Sequence, residues 1–201
     1  MKKLNTNKQS IIQRLLESPP RGGAWMRMFF MLILMMMSAF ATAQEKYGFK
    51  VAGVDVTSDN YLDLTEISGV SGKVYFDPNT RTLTLDNATI EVDGCNAVLN
   101  QTCKDLVIEL LGTNTINVTN SAGIYLCEST AIKGESGSKL SITNDRCAVL
   151  FEDSPLEIVN CWLEAEGDWG ISANVNVAEE VLTIRNSHVE ATGPTGSICD
   201  I

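Results

Sequence analysis

Basic residues are scarce in most of this 201-residue chain. The full sequence has 15 Lys and Arg residues against 25 Asp and Glu residues. Residues 1–43 contain six of the basic residues and one of the acidic residues, so residues 44–201 keep 9 basic and 24 acidic side chains, a net charge of −15. Because nucleic acids and anionic membranes are also negatively charged, this charge excludes both as partners.

Histidine is nearly absent, and the common metal and nucleotide motifs are missing. His188 is the single histidine, and the sequence has no C-x-x-C pair, Walker sequence or glycine-rich phosphate loop. These absences exclude a metal centre built from histidines and a catalytic histidine with an ordered partner. His188 is therefore interpreted as a surface residue, and no cofactor is required.

Long apolar runs are also missing, with one exception. The run MFFMLILMMMSAFA, from Met28 to Ala41, has 14 residues and is followed by an A-x-A sequence that ends at Ala43. This length suits the hydrophobic region of a secretory signal peptide and is short for a membrane span. We expect residues 1–43 to be cleaved as a signal peptide, which leaves no membrane span in the mature chain.

An uncleaved membrane anchor is the alternative for this segment. A start at Met26 would leave a signal peptide of ordinary length, so residues 1–25 are interpreted as a mis-assigned start or a leader. The predicted location of the mature protein is periplasmic, cell-surface or secreted.

A twelve-residue pattern occurs three times in the remaining sequence. The copies are LTLDNATIEVDG from Leu83, LEIVNCWLEAEG from Leu156 and LTIRNSHVEATG from Leu182. Apolar and polar residues alternate on both sides of a central Asn, which predicts two short strands joined at a bend. The central residues are Asn87, Asn160 and Asn186, and Asn tolerates the left-handed backbone of such a bend.

A third apolar run follows each copy, and two degenerate copies fill the gap between the first two. The third runs contain the anchor residues Val98, Ile124, Val149, Ile171 and Ile198, which advance by 26, 25, 22 and 27 residues. A period of about 25 residues with three strands per repeat is typical of a stacked solenoid. The sequence therefore predicts an all-β, right-handed parallel β-helix over residues 83–201.

Both ends of this solenoid differ from the repeat. Residues 44–82 do not follow the period and contain a predicted hairpin around Asp77-Pro78-Asn79-Thr80, so we expect them to form an N-terminal β cap. No cap follows the fifth anchor strand. An uncapped end exposes strand edges, so we expect self-association through it, or a chain that is a fragment of a longer protein.

The six cysteines show no metal-site spacing. Mostly buried thiols are favoured over a disulfide framework, and if one bridge forms, the predicted pair is Cys103 with Cys127 on adjacent turns.

Outward-facing residues of the second strand are predicted to form columns along the stack. The first column reads Thr89, Thr115, Lys139, Trp162 and His188, and the next reads Glu91, Asn117, Ser141, Glu164 and Glu190. An exposed Trp favours stacking against a flat sugar ring, although packing beneath a loop is an equal alternative. We predict that Trp162, Glu164, His188 and Glu190 form a carbohydrate-binding patch.

Two further features of this surface leave alternatives open. Stacked Glu164 and Glu190 would repel each other unless a cation lies between them, so either a salt bridge from Arg185 or a calcium ion is expected, and the salt bridge is favoured. Small residues are predicted to form an outward line at Ala97, Gly123, Ala148, Gly170 and Ser197. An apolar stripe is predicted beside it at Leu99, Tyr125 and Leu150.

Several stretches resemble a secreted bacterial carbohydrate-binding β-helix family of the pectin- and cellulose-binding type. They are VAGVDVTSDN, SGKVYFDPNTRTLTLDNATI, DLVIELLGTNTI and IKGESGSKLSIT, between about residues 47 and 143. The resemblance implies binding of plant-type or acidic polysaccharide, with calcium as an assisting ion.

The leading functional hypothesis is an exported, non-catalytic carbohydrate-binding module. The alternative is a structural or adhesive solenoid that binds protein partners through the stripe at Leu99, Tyr125 and Leu150. A polysaccharide lyase or hydrolase is disfavoured, because the paired glutamates occupy equivalent environments and acid–base catalysis requires different ones.

Overall fold

The computed structural model describes residues 44–173 and 178–199. They belong to the second of two compact units of the chain, which begins at Gln44. The predicted signal peptide, residues 1–43, lies outside the described residues. Within the described residues, no helix is long and apolar enough to cross a membrane.

All regular secondary structure in the described residues is β-strand. The strands are β1 (Lys46–Val51), β2 (Val54–Thr57), β3 (Val70–Asp77), β4 (Thr82–Asp93), β5 (Val98–Asn100), β6 (Leu106–Leu111), β7 (Thr113–Thr119), β8 (Ile124–Leu126), β9 (Thr130–Gly134), β10 (Lys139–Asn144), β11 (Cys147–Phe151), β12 (Leu156–Val159), β13 (Trp162–Glu166), β14 (Trp169–Ser172), β15 (Leu182–Arg185), β16 (His188–Thr192) and β17 (Gly196–Cys199).

From β4 onward the strands recur in groups of three, and each group stacks in parallel on the next. The first half of β4 is followed along the stack by β6, β9, β12 and β15, and its second half by β7, β10, β13 and β16. The third strands are β5, β8, β11, β14 and β17. Each group is called a tier, numbered 1 to 5 from β4 to β17. The predicted parallel β-helix is confirmed.

The core is a set of aliphatic columns that run along the stack. The predicted anchors pair directly: Val98 with Ile124, Ile124 with Val149, and so on through Ile171 to Ile198. The anchors of tiers 1 to 4 are fully buried. Because burial of one such side chain contributes about 1.5–3 kcal/mol, the columns supply the main stabilisation of the stack.

The bends between first and second strands have the backbone conformation predicted from their Asn residues. Asn87, Asn160 and Asn186 have φ angles of 47°, 55° and 50°. In tier 2 the bend residue is Gly112, with a φ of 67°. The bend therefore requires a residue that tolerates left-handed backbone, which explains why the repeated pattern has Asn at its centre.

Residues before Thr82 lie across the open side of tier 1. Strand β1 pairs antiparallel with β5. Strands β3 and β4 pair antiparallel and form a hairpin. The aromatic rings of Phe49 and Phe76 meet with centroids 4.8 Å apart, and both side chains are buried. This antiparallel layer covers the apolar residues that tier 1 would otherwise expose.

The small-residue column was predicted to face outward, but four of its five residues are buried, and Ser197 in tier 5 is exposed. The buried residues Ala97, Gly123, Ala148 and Gly170 lie at or directly before the start of the third strands, next to the corner. A Cβ atom on Gly123 would lie 2.5 Å from the carbonyl oxygen of Ala148 and 2.6 Å from Cγ2 of Ile142. The residues are small because the corner leaves no room for a larger side chain.

Inward-facing residues of tier 5 are more exposed than those beneath them. Ile184 and Ile198 are 42% and 49% exposed, whereas their partners Ile158 and Ile171 in tier 4 are fully buried. Exposed apolar atoms beside strand edges favour association. Self-association through this end stays a prediction.

The left-handed bends give a test of the fold. Replacing Asn160 with Ala should lower the free energy of unfolding by about 1 kcal/mol, because a Cβ atom without a polar side chain disfavours positive φ. Replacing Asn160 with Gly should cost less, since Gly adopts this conformation freely. Urea denaturation of both variants measures the difference, and equal stabilities would contradict the explanation.

Candidate functional site

Trp162 lies on the outer face of the sheet formed by the second strands of successive tiers. Its neighbours in strand register are Lys139 in tier 3 and His188 in tier 5. Glu164 lies between Ser141 and Glu190 in the next column. The four predicted patch residues are therefore direct neighbours, as the repeat period predicted.

The predicted columns are wrong between tiers 2 and 3. Thr115 pairs with Ser141, and Lys139 pairs with Thr113. The bend of tier 2 is the single residue Gly112, whereas in tier 3 β9 ends at Gly134 and β10 begins at Lys139. This longer connection shifts the alignment by two residues, so an alignment by average period matched Lys139 with the wrong partner.

The Trp162 side chain is partly exposed and is held by its two neighbours. It is 45% exposed, and its ring lies 4.4 Å from that of His188, centroid to centroid, with the planes tilted by 52°. The Lys139 ammonium lies 5.5 Å from the Trp162 ring centroid. The indole is thus fixed on a rigid strand while much of its surface remains open to solvent.

Glu164 is bound by side chains of the preceding tier. Lys139 Nζ donates to Oε1 at 2.5 Å, and Ser141 Oγ donates to Oε2 at 2.8 Å. The hydrogen bond from Lys139, and then that from Ser141, lower the pKa of Glu164 below its ordinary value. Glu164 is therefore ionised, and the adjacent Glu190 is exposed beside it.

The arrangement does not fit a resident calcium ion. Calcium takes six to eight oxygen ligands, but both oxygens of Glu164 already accept hydrogen bonds. Among residues 44–173 and 178–199, no group of three or more His, Cys, Asp or Glu side chains could hold a metal ion. The cation beside Glu164 is Lys139, and Arg185 instead pairs with Glu157.

The predicted apolar stripe is present in register but is not fully exposed. Leu99, Tyr125 and Leu150 are consecutive neighbours in the third strands, and all three are half-buried. The Tyr125 hydroxyl donates a hydrogen bond to the carboxylate of Glu152, which together with burial raises the pKa of Tyr125. This hydrogen bond fixes the orientation of the Tyr125 ring within the stripe.

A groove beside this stripe was not predicted from the sequence. It has a volume of about 730 Å³ and is bordered by Trp169, which is 38% exposed. Trp169 pairs with Cys147 beneath it and with Gly196 above it. The sequence feature that could have indicated the groove is Trp169 itself, because its neighbours in the column, Cys147 and Gly196, are small.

All six cysteines are free, so the predicted bridge between Cys103 and Cys127 is not formed. Cys103, Cys147 and Cys161 are buried, as the favoured interpretation required. Burial raises the pKa of Cys147 to about 12, which keeps it as a neutral thiol. These thiols pack as small apolar side chains.

The hydrogen bonds to Glu164 predict its titration. The stability that these hydrogen bonds give to the folded protein is fully present above the unfolded-state pKa of Glu164. It is lost as the pH falls through the lower folded-state pKa. Replacing Lys139 with Gln should raise the Glu164 pKa towards its usual value near 4.5. Carbon-detected NMR titration of the side-chain carboxyl measures the shift.

Lys133 supplies the control for that titration, because it is an exposed lysine on β9, the strand that precedes β10 in tier 3. Replacing Lys133 with Gln should leave the Glu164 pKa unchanged. Equal shifts in the two variants would show that net charge, and not the Lys139 hydrogen bond, lowers this pKa.

Comparisons with protein families, with curated proteins and with solved structures found no match to this chain.

Proposed function

We propose that this protein is an exported, non-catalytic carbohydrate-binding module. The observation that carries the proposal is the half-exposed indole of Trp162, held between Lys139 and His188 on a parallel sheet. Large exposed aromatic rings are uncommon on strand faces that have no ligand, and a sugar ring offers an apolar face of matching size.

The rigidity of the face supports binding. Each strand carrying the patch is paired on one side with the tier below, and β13 is paired on both sides, with β10 and β16. The indole and the Glu164 carboxylate are also held by neighbouring side chains. Little conformational freedom remains to be lost on binding, which favours affinity.

Polar groups around Trp162 suit the hydroxyl groups of a sugar. Glu190 and His188 are exposed beside the indole, and Thr143 and Thr192 extend the polar surface along the strands. Carboxylates accept hydrogen bonds from hydroxyls, whereas threonine hydroxyls both donate and accept. An apolar ring surrounded by such groups is the usual composition of a small-molecule binding surface.

Binding is supported over hydrolysis by the carboxyl groups. Hydrolysis of a glycoside requires one carboxyl group with a raised pKa, which acts as the acid. In the Trp162 patch, the hydrogen bonds from Lys139 and Ser141 lower the pKa of Glu164, which disfavours it as that acid.

The sequence of residues 1–43 supports export, and the acidic charge of the mature chain is consistent with a glycan as partner in place of nucleic acid. The resemblance to carbohydrate-binding β-helix proteins supports the same ligand class. Plant-type polysaccharides are therefore the first ligands to test.

Replacing Trp162 with Ala should weaken binding to a polysaccharide ligand by about 1 to 2 kcal/mol, which is about 5- to 30-fold in dissociation constant. The loss follows from removal of the stacking surface. A glycan array identifies the ligand, and isothermal titration calorimetry of the parent protein and the variant measures the change.

Replacing Tyr75 with Ala provides a matched aromatic control, because Tyr75 lies on β3, outside the stack of tiers. Thermal unfolding should confirm that both variants are folded. Unchanged sugar affinity in a folded Trp162 variant would contradict the proposed patch.

A further inference from the structure

The groove beside Trp169 runs along the stack and is not confined to one tier. Its border includes Asn96 from tier 1, Asn120 from tier 2, Asp145 and Arg146 from tier 3, and Asp168 and Trp169 from tier 4. Neighbouring strands in a sheet are about 4.8 Å apart, so three steps between tiers give the groove a length of about 14 Å. The groove is therefore elongated parallel to the helix axis.

The apolar side of the groove is formed by Tyr125, Leu150 and Trp169. Tyr125 and Leu150 are neighbours in register and both border the groove. At the far end, Trp169 has Gly196 as its neighbour in tier 5, with the Cys199 thiol beside that glycine, and the indole is still 38% exposed. A ligand in the groove would contact this apolar side with its apolar atoms.

The polar side of the groove is held by hydrogen bonds between tiers. Asn96 Nδ2 donates to the carbonyl oxygen of Ala122 at 3.1 Å. The backbone N–H of Asn120 donates to Asp145 at 2.8 Å, and Asn120 Nδ2 donates to Asp93 at 2.7 Å. These side chains are fixed before a ligand arrives, which reduces the entropy lost on binding.

The backbone of the groove wall does not offer a strand edge to a peptide. Ala97 N–H donates to the carbonyl oxygen of Gly123 at 3.0 Å, and Gly123 N–H donates to that of Cys147 at 3.0 Å. Further along, Trp169 N–H donates to the carbonyl oxygen of Arg146 at 2.9 Å. Addition of a peptide strand requires unpaired backbone groups, so recognition here depends on side chains.

The charge of the groove disfavours an anionic ligand. Its charged border residues are Asp145, Asp168 and Arg146, a sum of −1. Glu152, bound to the Tyr125 hydroxyl, adds a further negative charge nearby. Uncharged hydroxyl groups can bond to the amide and carboxylate groups without this repulsion.

From these observations we infer that the groove binds an extended, uncharged oligosaccharide, which lies along the stack and places a sugar ring against Trp169. A pyranose unit in an extended chain advances by about the spacing between tiers, so three or four sugars span the groove. This site is separate from the Trp162 face, and the inference rests on the proposed carbohydrate-binding function.

The experiment uses the protein purified from cells that express the full chain, labelled with ¹⁵N. The indole N–H signals of Trp162 and Trp169 are assigned by replacing each residue with Phe. The protein is then titrated with the β-1,4-linked hexasaccharides of glucose, xylose and mannose. Separate titrations use the hexasaccharide of galacturonic acid and a mixture of random ten-residue peptides.

We expect at least one uncharged hexasaccharide to shift the Trp169 signal, and Trp169→Ala to weaken its binding about tenfold. The galacturonic acid hexasaccharide should shift that signal less. Tyr75→Ala, on β3 and outside the groove, should leave the Trp169 shift in place. Because the Trp169 signal is read in the unmodified protein, the test does not depend on the stability of the Ala variant.

The remaining outcomes overturn the inference in distinguishable ways. Sugar-induced shifts at Trp162 alone would refute the groove but keep the proposed function. A preference for galacturonic acid at Trp169 would refute an uncharged ligand, and shifts produced only by peptides would assign the groove to a protein partner. No shift at either Trp with any sugar would refute both the groove and the proposed function.

Discussion

The structure depends on parallel, in-register hydrogen bonding between successive tiers. A three-strand tier has no partner within itself for its backbone N–H and C=O groups, so those groups are satisfied only by the tiers on either side. The same register places Val98, Ile124 and Val149 in one buried column. Backbone pairing and core packing are therefore one constraint, because a tier that shifts in register loses both.

This constraint also decides where polar interactions form. A side chain on one strand has its nearest neighbour about one turn away in sequence, and the hydrogen bonds follow that spacing. Thr119 donates to Asp93, 26 residues away, and Ser141 donates to Glu164, 23 residues away. Like charges in one column would repel each other, and the Lys139 ammonium in the adjacent column offsets this for Glu164. The candidate patch is thus formed by side-chain columns that the strand register aligns.

Local and repeated features could be predicted from the sequence, whereas features that depend on loop length and corner shape could not. Asn160 at a left-handed bend and the pairing of Trp162 with His188 follow from one repeated pattern of constant length. Lys139 was matched to the wrong partner because the bend before it is longer than in the other tiers. The groove at Trp169 was missed because inward and outward directions change at the corner, where strand alternation no longer applies.

The two exposed indoles lie on different surfaces of the same tier. Trp162 begins β13 and Trp169 begins β14, and the short connection between these strands includes Gly167. A Cβ atom on Gly167 would lie 2.4 Å from Asn144 Oδ1 and 2.7 Å from the carbonyl oxygen of Arg146, so this corner is closely packed. In the proposed function, a glycan that contacts one ring and is long enough to reach the other would make the second contact intramolecularly. If both proposed contacts form, their combined affinity would be higher for long polysaccharides than for short fragments.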